Sequence, residues 1–190
     1  MVDDGSTDLT AEVAEKEGAY VVRHKTNKGY DHALLSGFRK AEELKMETII
    51  SFDADGQHDP KILSQILNLL YKENNDLVIT VRPLGSRIAE RVFGVYTTSR
   101  FGVKDVLSGV KGYKLSKYRK IISSLRYESV GTEWALYGLR NNFKTAVLPI
   151  LVSERRGKPR FGGLVKANYK IVKSCAVALM DDLFCSDKIN

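Results

Sequence analysis

The chain is poor in the features that mark export, membrane insertion and redox chemistry. Its 190 residues contain no run of about 18 or more apolar positions, the minimum for a helix that crosses a bilayer. The opening "MVDDGSTD" has neither the basic stretch nor the apolar core of a secretory leader, so the expected address is cytoplasmic. The two cysteines, Cys175 and Cys185, are too sparse for a disulfide framework or a zinc knuckle and read as buried or incidental thiols. Internal repeats and low-complexity linkers are absent as well. The 30 lysines and arginines are scattered, and no helix-turn-helix, zinc-finger or RNP-like pattern accompanies them, so nucleic acid is not an expected partner.

What is present fits one globular domain: 43% hydrophobic and 28% charged residues, with a formal charge of +7, in a chain long enough to bury a core. Such a field draws polyanions, among them an anionic membrane surface or a phosphorylated small molecule. Strand-like segments "AYVVRH", "ETIISFD", "DLVITVR" and "KTAVLPILVSE" alternate with helical ones, which predicts an α/β fold with a mainly parallel sheet flanked by helices. In "YDHALLSGFRKAEELK" the apolar stripe is Leu34, Phe38, Ala41 and Leu44; in "PKILSQILNLLYKE" it is Ile62, Ile66 and Leu69 or Leu70. The spacing also predicts helices in "GSRIAERVFGVYTTSRF", "SKYRKIISSL" and "GTEWALYGLRNN", and a glycine-rich turn with a short strand in "VLSGVKGYKLS". From Gly163 to Phe184 apolar and basic residues alternate, the pattern of an amphipathic helix packed on the domain, on a second copy in a homodimer, or on lipid headgroups.

The chemistry concentrates in "ISFDADGQHDP". Residues i and i+2 of a strand share a face, so Asp53 and Asp55 converge if the extended backbone continues past Phe52. Two adjacent carboxylates repel unless a cation lies between them. Hard oxygen donors select Mg²⁺ or Mn²⁺, and Gln57 adds an amide oxygen on the same side. Asp59 reads as a cap for the helix opened by Pro60.

Two further segments are turn-like when taken alone. In "VDDGSTD" Gly5 permits a sharp turn after Asp3 and Asp4, while Ser6, Thr7 and Asp8 are natural caps for "LTAEVAEKE". In "NKGYDHALLSG" Asn27 and Gly29 form a turn, Asp31 caps a helix and Gly37 permits close backbone approach.

In order, "VDDGSTD", "NKGYDHALLSG" and "DADGQHDP", followed by "DVLSGVKGYKLS", "GTEWALYGLR" and "ERRGKPRFGG", resemble glycosyltransferase family 2, the inverting enzymes of the GT-A fold. Asp53, Asp55 and Gln57 match the Asp-x-Asp-x-Gln pattern of its polyprenyl-phosphate sugar transferases. The resemblance implies a catalytic unit over residues 1–163 followed by an amphipathic helix over 164–190. It implies a nucleoside diphosphate sugar donor and a polyprenyl phosphate or glycan acceptor, with peripheral contact at the inner membrane face for a lipid acceptor. Asp4, with Asp3 beside it, falls where the family accepts hydrogen bonds from the nucleobase, and Asn27 and Gly29 belong to the same donor site. Asp53, Asp55 and Gln57 hold the metal, and Asp55 is placed among the catalytic residues. Arg82, Arg155, Arg156 and Arg160 are placed as cationic clamps on phosphate, with Arg155 and Arg156 counted as catalytic. Glu133 is the candidate base for a sugar hydroxyl acceptor and matters less for an already ionised lipid phosphate.

The chain departs from the family in two places. The apolar first strand and its "Pro-x-Tyr-Asn-Glu"-like turn are missing, which implies either a piece of a longer enzyme or a degenerate relative that is a catalytically inactive binding module. Pro159 stands where the family usually has Ser, removing a hydroxyl and a backbone donor from the late loop. A nucleotidyltransferase would share the two-carboxylate site, but no glycine-rich, basic triphosphate loop is present to support it.

Overall fold

The computed structural model describes residues 1–83, 87–121, 129–153 and 164–184. Among the described residues six strands and six α-helices lie in the order β1 (Val2–Asp3), α1 (Thr10–Lys16), β2 (Val22–Arg23), α2 (Tyr30–Glu43), β3 (Thr48–Ser51), α3 (Lys61–Tyr71), β4 (Leu77–Val81), α4 (Ile88–Phe101), β5 (Lys111–Lys114), α5 (Val130–Arg140), β6 (Thr145–Pro149) and α6 (Leu164–Phe184). The α/β class expected from the alternation is the one observed. Strands β1 and β2 pair in parallel as a two-stranded sheet. The other four form a sheet in the order β3-β5-β4-β6.

Within the larger sheet β4 and β6 are parallel, and β5 is antiparallel to both of its neighbours. Strands β3, β4 and β6 therefore point the same way, and their carboxyl ends open on one edge, where α/β proteins bind ligands. The insertion of β5 was not legible in "KGYK", which has no alternating apolar pattern. Gly112 of β5 explains how α3 covers this sheet. A side chain built there would reach within 2.4 Å of Ile66 Cγ2 and 3.0 Å of Leu70 Cδ1, so its absence lets α3 lie directly on the strand.

Helix α3 buries Ile62, Ile66 and Leu70 against Val78 and Val110 on that face, each side chain contributing about 1.5–3 kcal/mol by leaving water. On the opposite face Leu35, Phe38, Leu77, Ile79, Tyr113 and Trp134 form the main core. The indole of Trp134 stacks on Phe38 with ring centroids 4.1 Å apart and on Tyr118 at 4.8 Å, which accounts for it as core. The stripe of α2 is rotated from the expected one: Leu35 and Phe38 are buried and Leu44 is exposed. Gly37 does permit close approach, since a side chain there would meet Val2 Cγ2 at 3.2 Å. Through this contact α2 packs on β1, and it also reaches β2 and β3.

The segment "SKYRKIISSL" differs from its expected helix over its described part. Leu115–Lys117 form a single 3₁₀ turn, and Leu115 and Tyr118, three residues apart, both enter the core. That spacing matches 3.0 residues per turn better than 3.6. Helix α6 packs on α4 and carries buried Ala178 with Ile171 and Cys175 against the core. Asp182 fastens it, accepting from Arg140 Nε at 2.6 Å and from the Tyr96 hydroxyl. Partial burial raises the Cys175 thiol above its ordinary value. No described helix is long and apolar enough to cross a membrane.

Candidate functional site

The two acidic turns and the carboxyl ends of β3 and β4 supply the polar groups of the site. At the end of β1, Asp3 is 2% exposed and its Oδ1 accepts from the Ser6 amide at 3.1 Å. This fixes the turn that Gly5 makes. Gly5 has φ +78°, and a side chain there would fall 2.6 Å from the Asn27 amide nitrogen, so the position is closed to other residues on both counts. Asp8 caps α1 as expected, accepting from the Thr10 amide at 3.0 Å.

Asp4 is held from three directions. Its Oδ1 accepts from the Lys28 amide at 2.9 Å and lies 2.6 Å from His24 Nδ1, while Oδ2 accepts from the Gly29 amide at 2.8 Å. His24 Nε2 in turn lies 2.8 Å from Ser36 Oγ. Partial burial alone would raise the Asp4 carboxyl; the His24 contact and the two backbone donors outweigh it and hold the group below its ordinary value. The structure thus brings Asp3, Asp4, Asn27 and Gly29 together, with Asp4 shaping the 27–29 turn from inside. His24 was not singled out from the sequence, where a lone imidazole after a strand carries no pattern.

Asp31 also corrects an expectation. It sits in the first turn of α2, yet its Oδ1 accepts from the Val130 amide at 2.9 Å. It therefore caps α5, whose own Ser129 makes no side-chain cap and has φ 75°. This bond ties the helix bearing Glu133 to the helix that follows the Gly29 turn.

Beyond β3, Asp53 and Asp55 are both half-buried. A side chain on Gly109 would lie 3.1 Å from Asp53 Oδ2 and 3.4 Å from the Tyr30 hydroxyl, so Gly109 makes the room in which those two groups face the loop before β5. Asp55 Oδ1 accepts from the Gln57 amide at 3.2 Å. Gln57 Nε2 points to the Ser153 carbonyl at 3.5 Å, and the Ser153 amide donates to the Gln57 carbonyl at 2.9 Å. Gln57 is thus tied to Ser153 through its backbone and through its side chain. Asp59 accepts from the Lys61 amide at 2.9 Å, the capping contact expected of it.

On the β4 side Arg82 donates from Nε and Nη2 to the two oxygens of Asp105, at 2.7 and 3.2 Å. Burial would raise the Asp105 carboxyl, but the guanidinium beside it holds it below the usual carboxylate value. Beside this pair opens a cavity of about 870 Å³ lined by Arg82, Arg91, Lys104, Val95, Ile150 and Leu151 among others. Lys111, at the head of β5, is 2% exposed and donates from Nζ to the Ser108 carbonyl. Burial pushes its ammonium down to about 8, against the opposing attraction of Asp105 and Asp53. Neither Asp105, Gly109 nor Lys111 was singled out from the sequence; the only signal was their run inside "DVLSGVKGYKLS". Glu133 lies in the first turn of α5, the turn whose Gly131 approaches Lys111 Nζ. Arg155, Arg156 and Arg160 lie outside the described residues, as does Pro159.

The residues at the β3 end fit a hard divalent cation. Among the described residues no three carboxylate, imidazole or thiolate side chains gather as a metal cluster. A cation here would rest on Asp53, Asp55, the Gln57 oxygen and a substrate's phosphates, the mixed shell that Mg²⁺ and Mn²⁺ accept.

A two-aspartate turn, a glycine turn and a carboxylate pair at the open edge of an α/β sheet define a GT-A glycosyltransferase fold. The chain belongs to glycosyl transferase family 2, whose sequence profile matches residues 1–131. It is 36% identical over 167 residues to the uncharacterized protein MJ1222 of Methanocaldococcus jannaschii, covering 79% of this chain and 68% of that one. It is 29% identical over 180 residues to the polyprenol monophosphomannose synthase of Mycolicibacterium smegmatis, covering 82% of this chain and 66% of that one. Among solved structures, glucosyl-3-phosphoglycerate synthase from Mycobacterium tuberculosis in complex with Mn²⁺, UDP-glucose and phosphoglyceric acid shares the fold. Its TM-score is 0.65 at 21% identity, over 95% of this chain and 66% of its own. The chain thus spans about two thirds of the length of these longer proteins.

Proposed function

We propose that this chain is the catalytic unit, over residues 1–163, of an inverting, metal-dependent glycosyltransferase that moves a sugar from a nucleoside diphosphate to a polyprenyl phosphate. The observation that carries the reading is that Asp53, Asp55 and Gln57 follow β3 on the sheet edge that also holds, beyond β5, the Arg82–Asp105 pair and its cavity. A bound Mg²⁺ or Mn²⁺ would supply charge neutralisation for the departing diphosphate. The relative that makes polyprenol monophosphomannose and the neighbour that holds Mn²⁺ with UDP-glucose support this choice of donor, cofactor and acceptor class.

The residues divide the work by position. Asp53, Asp55 and Gln57 hold the cation against the donor. The turn of Asn27 and Gly29, shaped by Asp3 and Asp4, receives the nucleoside. Arg91 and Lys104 give the cavity cationic walls beside Val95, Ile150 and Leu151, a combination suited to a phosphate with an apolar tail. Arg82, its charge balanced by Asp105, fixes one wall of that cavity. Arg155, Arg156 and Arg160, outside the described residues, are assigned here as further clamps on phosphate.

In transfer, a phosphate oxygen of the acceptor bonds to the anomeric carbon from the face opposite the nucleotide as the bond from that carbon to the diphosphate oxygen breaks. The nucleoside diphosphate departs with the electron pair. An ionised phosphate needs no base, so Glu133 matters less for that acceptor; for a sugar hydroxyl it takes the proton. Incubating the protein with Mn²⁺, a UDP- or GDP-sugar and undecaprenyl phosphate in detergent tests the reading. Formation of a polyprenyl-phosphate sugar of inverted anomeric configuration is the expected product. Donor binding without any transfer, to this lipid or to a glycan, would instead mark a catalytically inactive GT-A binding module.

A further inference from the structure

Lys111 is a charge without an evident structural purpose. An ammonium 2% exposed has three N–H donors, and among the described residues its hydrogen bond goes to the Ser108 carbonyl. Burying a cation this incompletely paired costs more than its contacts return, and a well-packed apolar side chain of similar length is ordinarily tolerated or preferred. Its backbone is fixed independently, because the Lys111 amide donates to Ser51 Oγ at 3.1 Å and Ser51 Oγ donates to the Gly109 carbonyl at 2.7 Å. The fold therefore does not need the ammonium to place β5.

The surroundings supply a different purpose. The carbonyl that receives Nζ belongs to Ser108, and the next residue, Gly109, is the one whose missing side chain admits Asp53 Oδ2. Asp105, the partner of Arg82, and Asp53 are the acids whose charge acts on the ammonium, and Arg82 acts against it. On its third side is Gly131, in the first turn of the helix that carries Glu133. Low dielectric makes this charge felt by each of these groups at longer range than in water.

Resting on the function proposed above, we propose that Lys111 is a positioning residue whose buried ammonium sets the charge balance between Asp53 on the donor side and Asp105 with Arg82 on the acceptor side. The ammonium is retained at a cost in stability. Held on the carbonyl next to the glycine that admits Asp53 Oδ2, the ammonium also opposes a divalent cation there, which keeps metal binding weak enough to depend on the donor's phosphates.

Lys111→Met and Lys111→Arg in the full chain test this. Thermal unfolding and calorimetric titration with Mn²⁺ alone are the primary readouts, since neither requires turnover. Lys111→Met is expected to unfold at the wild-type temperature or higher and to bind Mn²⁺ at least threefold tighter. Lys111→Arg is expected to stay near wild type in Mn²⁺ affinity. In transfer assays Lys111→Met is expected to lose at least tenfold in kcat, with partial rescue by arginine. A Lys111→Met protein that does not fold, unfolds at lower temperature, or binds Mn²⁺ no tighter than wild type would overturn the proposal. Wild-type protein inactive in transfer but showing the Mn²⁺ difference would separate the failure of the proposed reaction from that of Lys111.

Discussion

Arg82 and Asp105 meet through two side-chain bonds, 2.7 Å from Nε and 3.2 Å from Nη2, joining the end of β4 to the loop that leads into β5. Asp105 Oδ1 also accepts from the Leu107 amide at 3.0 Å, so the carboxylate organises the loop as well as the guanidinium. Asp105→Ala is expected to cost on the order of 2 kcal/mol, because it leaves a part-buried guanidinium and a backbone donor without their partner. Urea denaturation measures that loss. Arg82→Lys retains the charge but not the planar fork and is expected to recover only part of it.

The Asp31 cap on α5 gives a second test. Asp31→Ala is expected to lower stability by about 1 kcal/mol, seen as a melting temperature reduced by about 2–4 °C for a chain of this size. Asp31→Asn keeps an acceptor oxygen for the Val130 amide and is expected to retain most of it.

High pH should loosen the seat of α6. Burial, and then the hydrogen bond to Asp182, raise the Tyr96 phenol from 10.0 to about 12. A folded-state pKa above the unfolded one means a contribution fully present below pH 10 and lost as pH rises from there towards 12. Melting temperature recorded from pH 9 to 12 is expected to fall across that window. In Tyr96→Phe the decline attributable to this group is absent and the protein starts from a lower value.

Gly112→Ala tests the packing of α3 on β5. The added methyl meets Ile66 Cγ2 at 2.4 Å, and Ile66 is itself fully buried, so the neighbour has nowhere to yield. Overpacking of this kind costs about 1–3 kcal/mol, and chemical denaturation is expected to return a value in that range.

Legibility followed the range of the interactions. Helix α3 was readable because Ile62, Ile66 and Leu70 repeat at one face within eleven residues, and β4 because four of the five residues of "LVITV" are apolar and the fifth, Thr80, is β-branched. The spacing of Asp53, Asp55 and Gln57 was readable, but the extended backbone assumed for it does not persist: β3 ends at Ser51, and the three residues lie in the loop beyond it. The position of β5 depends on pairing with strands about thirty and sixty residues earlier, for which "KGYK" holds no local sign. Asp31 was recognised as a cap but given to the wrong helix, since its acceptor role is local chemistry and its partner, Val130, is 99 residues away. Lys111 and His24 were missed for the same reason: their environments include Asp53, Asp4 and Ser36, which only the fold assembles around them.

The central claim is that Asp53 and Asp55 together hold a divalent cation against a nucleoside diphosphate. Thermal unfolding with Mn²⁺ and a UDP- or GDP-sugar, each alone and both together, measures it most directly in wild type, Asp53→Ala and Asp55→Ala. At a donor concentration about a hundredfold above Kd, wild type should gain roughly 2.7 kcal/mol, a rise of about 5–10 °C that requires both components. Each alanine variant should abolish the rise. A donor-induced shift that survives in both variants, or that appears equally without Mn²⁺, would contradict the account.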